Sequence, residues 1–214
     1  MYINLKNNDN MIMKRTIFIA AAIAVTALFA ASCTQQTEKS ERQGYTDKEA
    51  IANILARKSV RVYLDKLVEQ EKLDLIIRAG MAAPSGMDRR PWEIMVVDDK
   101  EAMAAMSQEL PYAPMLAKAP VAIIVFGDSE LSSYWYLDCS AVVQNILLAA
   151  EALDLGAVWT AAYPYEERMS VVSKYIPGIP GRMLPLAIIP MGYPDGDFQP
   201  KDKFDQAKIH YNKW

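Results

Sequence analysis

Residues 73–97, LDLIIRAGMAAPSGMDRRPWEIMVV, restrict the possible folds more than any other stretch of this chain. Leu73, Ile76, Ile77, Gly80 and Met81 recur at i, i+3, i+4, i+7 and i+8, the spacing of one helical face, and predict a helix running to Ala83. Pro84 disfavours helical geometry in the residue before it, and Ser85 and Gly86 supply turn chemistry. Beyond the polar run Asp88-Arg89-Arg90, a second proline leads into the β-prone segment Trp92–Val97, closed by Asp98-Asp99. The stretch is therefore helix, loop, strand. A Pro-Ser-Gly loop between two buried elements leaves backbone N–H groups available to a ligand.

The same reading extends along the chain. Thr46 and Glu49 form a capping-box pattern that starts a helix carrying Ile51, Ile54 and Leu55 on one side. It runs out at Arg57-Lys58-Ser59-Val60-Arg61, before the extended Val62-Tyr63-Leu64. A helix is expected over Lys100–Leu110, a surface loop over Leu110–Pro120 and a buried strand over Val121–Phe126. Tyr134, Trp135 and Tyr136 suit either core packing or a lid on a flat substrate. The apolar helix Leu137–Leu155 should be central, with Gly156 as its C′ residue. On it Asp138, Gln144 and Asn145 need partners, satisfied internally, and Cys139 reads as an inert buried thiol. Gly156–Thr160 should be extended, Glu166–Tyr175 helical, Leu184–Ile189 a strand, and Gly192-Tyr193-Pro194 a turn. With 214 residues, about half apolar, one domain of moderate size is expected after the amino-terminal segments. The net charge of −3 gives no general attraction to nucleic acid, so any anion site must come from locally placed cations.

The amino terminus reads as targeting rather than fold. Lys14 and Arg15 precede the apolar run Thr16–Phe29, and Ala30-Ala31-Ser32 supplies small residues before Cys33. The run is shorter than the roughly 20 residues of a spanning helix, so residues 1–32 are expected to be a lipoprotein-type signal peptide, with lipid on Cys33. Met13 is a candidate true start. Residues 33–45, rich in Thr, Gln, Glu, Lys and Ser, form a tether, and the folded domain spans 46–214. Such a protein would be exported and lipid-anchored to the bacterial cell envelope, facing the periplasm. One histidine, His210, and no Ser/Cys/Asp triad spacing leave hydrolytic or metal chemistry without support, and His210 reads as a packing or surface residue.

Taken together, RKSVR at 57–61, APSGMDRRPW at 83–92, the helix from Asp138 to Gly156, Met191-Gly192-Tyr193-Pro194 and Lys201-Asp202-Lys203-Phe204 resemble the FMN-dependent nitroreductase family. The resemblance runs from about Asn53 to Trp214. It implies an α+β fold, a mostly antiparallel central sheet flanked by helices, assembled as an intertwined homodimer with FMN at the interface. By itself RKSVR reads as a solvated face. Within the resemblance, Arg57 grips the phosphate, Ser59 bonds the phosphate or ribityl chain and Arg61 reaches the N1–C2 carbonyl end of the ring, with Lys58 between them. Pro84, Ser85 and Gly86 meet the ring from the partner subunit. Thr160 and Ala161 offer backbone N–H groups, and Lys201 and Lys203 complete the phosphate site. Asp88 and Arg90 stand where Asn and Gln are usual, and a carboxylate at the ring disfavours reduction unless Arg61, Arg89 or Arg90 neutralises it.

The implied activity is two-electron transfer to a nitroaromatic, quinone or enone, linked to NAD(P)H. No side chain is assigned a catalytic proton. Export leaves the donor open, with a membrane-side quinol or an exported redox protein as alternatives. A dehalogenating or flavin-degrading relative and a non-catalytic flavin-binding lipoprotein are the other readings.

Overall fold

The structure, a computed structural model, describes residues 47–214. The signal segment, the tether, Cys33, Met13 and the Thr46 cap lie outside the described residues. Ile51–Trp214 form one compact unit, and residues 47–50, the described part of a separate unit, are helical.

The elements in order are α1 (Asp47–Ala56), α2 (Gln70–Met81), β1 (Trp92–Val97), α3 (Lys100–Glu109), β2 (Val121–Asp128), α4 (Trp135–Ala152), β3 (Gly156–Ala157), β4 (Thr160–Ala161), α5 (Glu166–Tyr175) and β5 (Met183–Gly192). The sheet runs β1-β2-β5-β3, with β4 also paired to β5, and all these pairings are antiparallel. This is the α+β architecture expected.

Strand β2 explains the layering. Its side chains alternate between faces: Val121, Ile123 and Val125 join one core with Leu73 and Ile76 of α2 and Val142, Val143 and Ile146 of α4. Ala122, Ile124 and Phe126 join a second core with Met103 and Met106 of α3 and Val172 of α5. Burial on both faces is why this strand reads as an unbroken apolar run.

Several expectations need correction. Leu110–Pro120 is no surface loop: Leu110, Ala113, Met115, Leu116 and Ala119 are buried, and Pro114–Ala117 forms a 3₁₀ turn. Gly156 does not cap α4; Asp154 takes the left-handed position at φ 61°, while Gly156 opens β3. Its missing Cβ serves a close approach instead, since one built there would lie 2.5 Å from Val60 Cβ. The extended piece 156–160 divides into two short strands, and β5 is longer than expected. At Gly192-Tyr193-Pro194 the chain bends at Tyr193 as expected, and Pro194 then bridges Tyr63 along the sheet edge. Gln144 is exposed, not buried. Asn145 and Asp138 do find internal partners: Asn145 Nδ2 donates to Ala79 O at 3.0 Å, and Asp138 Oδ1 accepts from Gly86 N at 2.9 Å. Trp135 is core, edge-on to Tyr163 at 4.7 Å between ring centres.

Candidate functional site

Helix α1 closes with Arg57 N donating to Asn53 O, and the chain then leaves helical geometry. Ser59 bridges Ala157 of β3 in parallel, Val60 N donates to Ala157 O at 3.0 Å and Leu64 N donates to Tyr193 O at 2.9 Å. Residues 57–64 thus lie along the β3 and β5 edge. The Tyr63 hydroxyl pins the segment, lying 2.8 Å from Val60 O and 3.0 Å from Pro190 O. Burial pushes its phenol well above the ordinary value, against the Arg61 charge, so it remains a proton donor.

In extended chain, alternate residues share a face. Val60 is fully buried on the inner side. Lys58, in step with it, forms a 2.6 Å ion pair with Glu151 of α4. Arg57, Ser59 and Arg61 fall on the other face. Among the described residues, none of these three side chains makes a hydrogen bond or ion pair. Lys58 is thereby parted from the other expected cofactor contacts and acts as an anchor to the central helix.

Arg61 opens onto a cavity of about 740 Å³ whose walls are Val62, Tyr63, Asp65, Lys100, Pro114, Met115, Ala117 and Lys118. That volume lies within the roughly 300–1,000 Å³ of small-molecule sites. Three cations, Arg61, Lys100 and Lys118, face one carboxylate, Asp65, so the cavity favours an anionic or electron-rich ligand. Lys100 Nζ is tied to Ala119 O at 2.9 Å, and the Lys118 side chain has no hydrogen bond or ion pair among the described residues. Sequence reasoning missed both lysines. Only the packing of 114–118 against 61–65 reveals them, and no local pattern announces that contact.

The Pro-Ser-Gly loop is built at a second place. Met87, Asp88 and Arg90 all have positive φ, at 53°, 54° and 48°, a cluster of non-glycine residues in the left-handed region. Ser85 Oγ accepts from Arg90 N at 3.0 Å, and buried Asp138 holds Gly86 N. Asp88 is gripped by both arms of Arg90, Nε to Oδ1 at 2.7 Å and Nη2 to Oδ2 at 2.5 Å. The Arg90 hydrogen bonds hold the Asp88 carboxyl below the usual carboxylate range. Its charge is therefore balanced within the loop by Arg90, one of the three arginines considered for this part.

Thr160 and Ala161 form β4, paired with Ile188 and Ala187 of β5; Thr160 Oγ1 donates to Ile188 O at 2.6 Å and Ala161 O accepts from Arg168 Nη1 at 3.4 Å. Lys201 and Lys203 sit on an exposed tail, 199–214, whose hydrogen bonds, ion pair and ring contact all join residues of 197–214. Within one chain no such bond ties these lysines to Arg57. His210 is exposed and stacks on Trp214. Cys139 is buried, its thiol pushed up to about 12 by burial and by the Asp138 charge, which keeps it un-ionised and unreactive.

Comparison with known proteins adds the relatives of this chain. The family model described as the Nitroreductase family matches residues 54–111 and 104–193. A relative from Methanothermobacter thermautotrophicus, provisionally named NADH dehydrogenase/NAD(P)H nitroreductase, is 43% identical over 164 residues, 75% of this chain and 85% of its own. A crystal structure from Bacteroides thetaiotaomicron with the same provisional name is 61% identical, covering 79% of this chain and all of the other at a TM-score of 0.77. An FMN-dependent nitroreductase from Clostridium difficile is 32% identical, covering 77% and 99% of the two chains at a TM-score of 0.73.

Proposed function

Because this chain belongs to the nitroreductase family, we propose that it is an FMN-dependent oxidoreductase linked to NADH or NADPH, passing two electrons to an electron-poor nitroaromatic, quinone or enone. The observation that carries the proposal is the face of Arg57, Ser59 and Arg61, polar side chains without partners among the described residues, with Arg61 lining a cationic cavity of about 740 Å³. A planar guanidinium gives paired donors to phosphate oxygens, so the donor set suits a flavin mononucleotide. Bound FMN supplies the two-electron chemistry itself.

What the chain contributes is placement and charge. Arg57 and Ser59 hold the phosphate end, aided by Lys201 and Lys203. Arg61, with Lys100 and Lys118 behind it, sets a positive potential that stabilises negative charge gathering at the pyrimidine end of a flavin ring. The β4 backbone at Thr160 and Ala161 brings N–H groups near the ring. Among the described residues no side chain is assigned to move a proton, and solvent serves. The test is the absorbance spectrum of the purified protein with FMN, before and after anaerobic NADH and NADPH: a bound flavin that bleaches is expected, and a protein that never acquires flavin absorbance overturns the reading.

The protein works as a homodimer in this reading. Ile51 and Leu55 of α1 are 56% and 70% exposed, and the tail bares Phe204, Tyr211 and Trp214. Apolar surface of this kind is what a subunit interface covers. The loop Pro84–Asp88 then faces the ring of the second copy, with the Asp88 charge held by Arg90. Truncation after Phe198 should convert the dimer to monomer in light scattering and abolish measurable FMN retention, since it removes both the covering tail and the two lysines. A truncated protein that stays dimeric and flavin-loaded would refute this arrangement.

Export and lipid attachment at Cys33 complete the proposal, supported by the order basic residues, apolar run, small residues and cysteine. A mature amino terminus other than acylated Cys33, read by mass spectrometry, counts against it.

A further inference from the structure

Arg168, in the first turn of α5, carries a guanidinium that is only partly satisfied among the described residues. Its Nε is buried without a hydrogen-bond partner. Nη1 reaches only the Ala161 carbonyl, at 3.4 Å, and no carboxylate among the described residues pairs with the charge. The Tyr165 ring covers one side, 3.8 Å from Cζ to its centre, and the Tyr112 ring stands 6.0 Å away. A guanidinium stays charged at any working pH and offers five donors. Left partly buried without a counter-ion it is costly, and an incoming anion offsets that cost.

The surroundings say what kind of anion. Ala161 belongs to β4, the strand whose backbone is assigned to the cofactor ring above. Tyr112 lies on the segment that continues into Pro114 and Met115, two walls of the Arg61 cavity. It is 82% exposed and held at φ 64°, a left-handed conformation of the sort that clusters at functional sites. Two exposed tyrosine rings flank the guanidinium, one lying on it and one 6.0 Å away, apolar faces beside a cation. We propose that Arg168 is a specificity-determining residue that receives the carboxylate of an aromatic acid, with Tyr112 and Tyr165 beside the ring, so that the acceptors taken best are nitroaromatic or quinoid acids. The inference rests on the FMN-oxidoreductase reading and names the substrate class of that site.

The experiment titrates FMN-loaded full-length protein with benzoate and, separately, benzyl alcohol, following the flavin spectrum. Steady-state rates with para-nitrobenzoate and para-nitrobenzyl alcohol are measured alongside. Benzoate is expected to bind and to weaken as salt is raised, with benzyl alcohol insensitive to salt. In Arg168→Gln, benzoate affinity should fall about tenfold or more, and KM for para-nitrobenzoate should rise in parallel at unchanged kcat. The neutral pair should be unaffected, and Arg168→Lys should restore part of the loss. Equal changes for acid and alcohol, or benzoate binding indifferent to the substitution, would overturn the assignment. Should the Gln variant not fold, Arg168→Lys decides the matter: a fall in benzoate affinity with benzyl alcohol unchanged is expected, and benzoate affinity equal to that of the wild type would overturn the assignment. Benzoate binding is read without turnover, so a protein that NAD(P)H fails to reduce but that binds benzoate through Arg168 upholds this inference while failing the redox reading.

Discussion

Replacing Arg57 with alanine is expected to weaken FMN binding by about ten- to a hundredfold, the loss of charged hydrogen bonds worth roughly 1.5–3 kcal/mol in all, with little change in the unfolding of the flavin-free protein. The asymmetry follows from its position. Arg57 closes a helix through its backbone, and among the described residues its half-buried side chain makes no hydrogen bond or ion pair, so truncation removes a ligand contact and breaks no polar contact of the fold. Its neighbour supplies the control. Lys58 is paired at 2.6 Å with Glu151, both side chains mostly buried at 22% and 14% exposure. Breaking such a pair strands a carboxylate on the central helix. Lys58→Ala should therefore lower stability and leave FMN affinity nearly intact, the reverse of Arg57→Ala. Fluorescence quenching of FMN and a thermal melt of the flavin-free forms separate the two. Equal flavin loss in both variants would mean that alternation along 57–61 does not sort these side chains.

The second large effect is predicted at Gly156. An alanine Cβ there would lie 2.5 Å from both Cβ and Cγ1 of Val60 and 2.9 Å from Cγ2. Val60 is fully buried and its Cβ is fixed to the backbone, so the contact cannot be relieved by rotating a side chain; the 57–61 segment itself must move. Overpacking of this kind costs about 1–3 kcal/mol, and in a domain of this size each kcal/mol lowers Tm by roughly 2–4 °C. The same displacement shifts Ser59 and Arg61 on either side of Val60. Gly156→Ala is expected to lose both melting temperature and FMN affinity, unlike either of the previous variants. A protein that melts lower but binds flavin normally would show that the strand can yield without carrying its outer face along.

These two positions also show what the amino-acid order discloses and what it hides. The helix through Leu73, Ile76 and Gly80, its arrest before Pro84 and the strand Trp92–Val97 are decided by neighbours within a few residues, and they were readable. The arginines at 57 and 61 were readable through resemblance, and their spacing then acquires a reason in strand alternation. Lys58 looked equivalent to them until Glu151, far along the chain, claimed it. Gly156 looked like a helix stop because a glycine after an apolar helix usually is one; its real constraint is Val60. Leu110–Pro120 looked like surface because its three prolines break periodicity, yet its apolar side chains fill the second core. Lys100, Lys118 and Arg168 gave no local signal at all, since their significance comes from long-range proximity. The apolar side of α1, Ile51, Ile54 and Leu55, was readable as a stripe, and it is exposed in the single chain.

Strand β2 carries a consequence for how this protein opens. Its backbone is hydrogen-bonded to β1 on one edge and β5 on the other, and its faces are sealed by two separate cores. No fraying of an end or swing of a loop can wet it, so its amides should be the slowest in the molecule to trade hydrogen for deuterium, doing so only when the whole unit comes apart. Exchange at Ile123 and Ile124 is thus a built-in clock for global unfolding, against which any quickening at the Met87–Arg90 turn can be timed as local breathing.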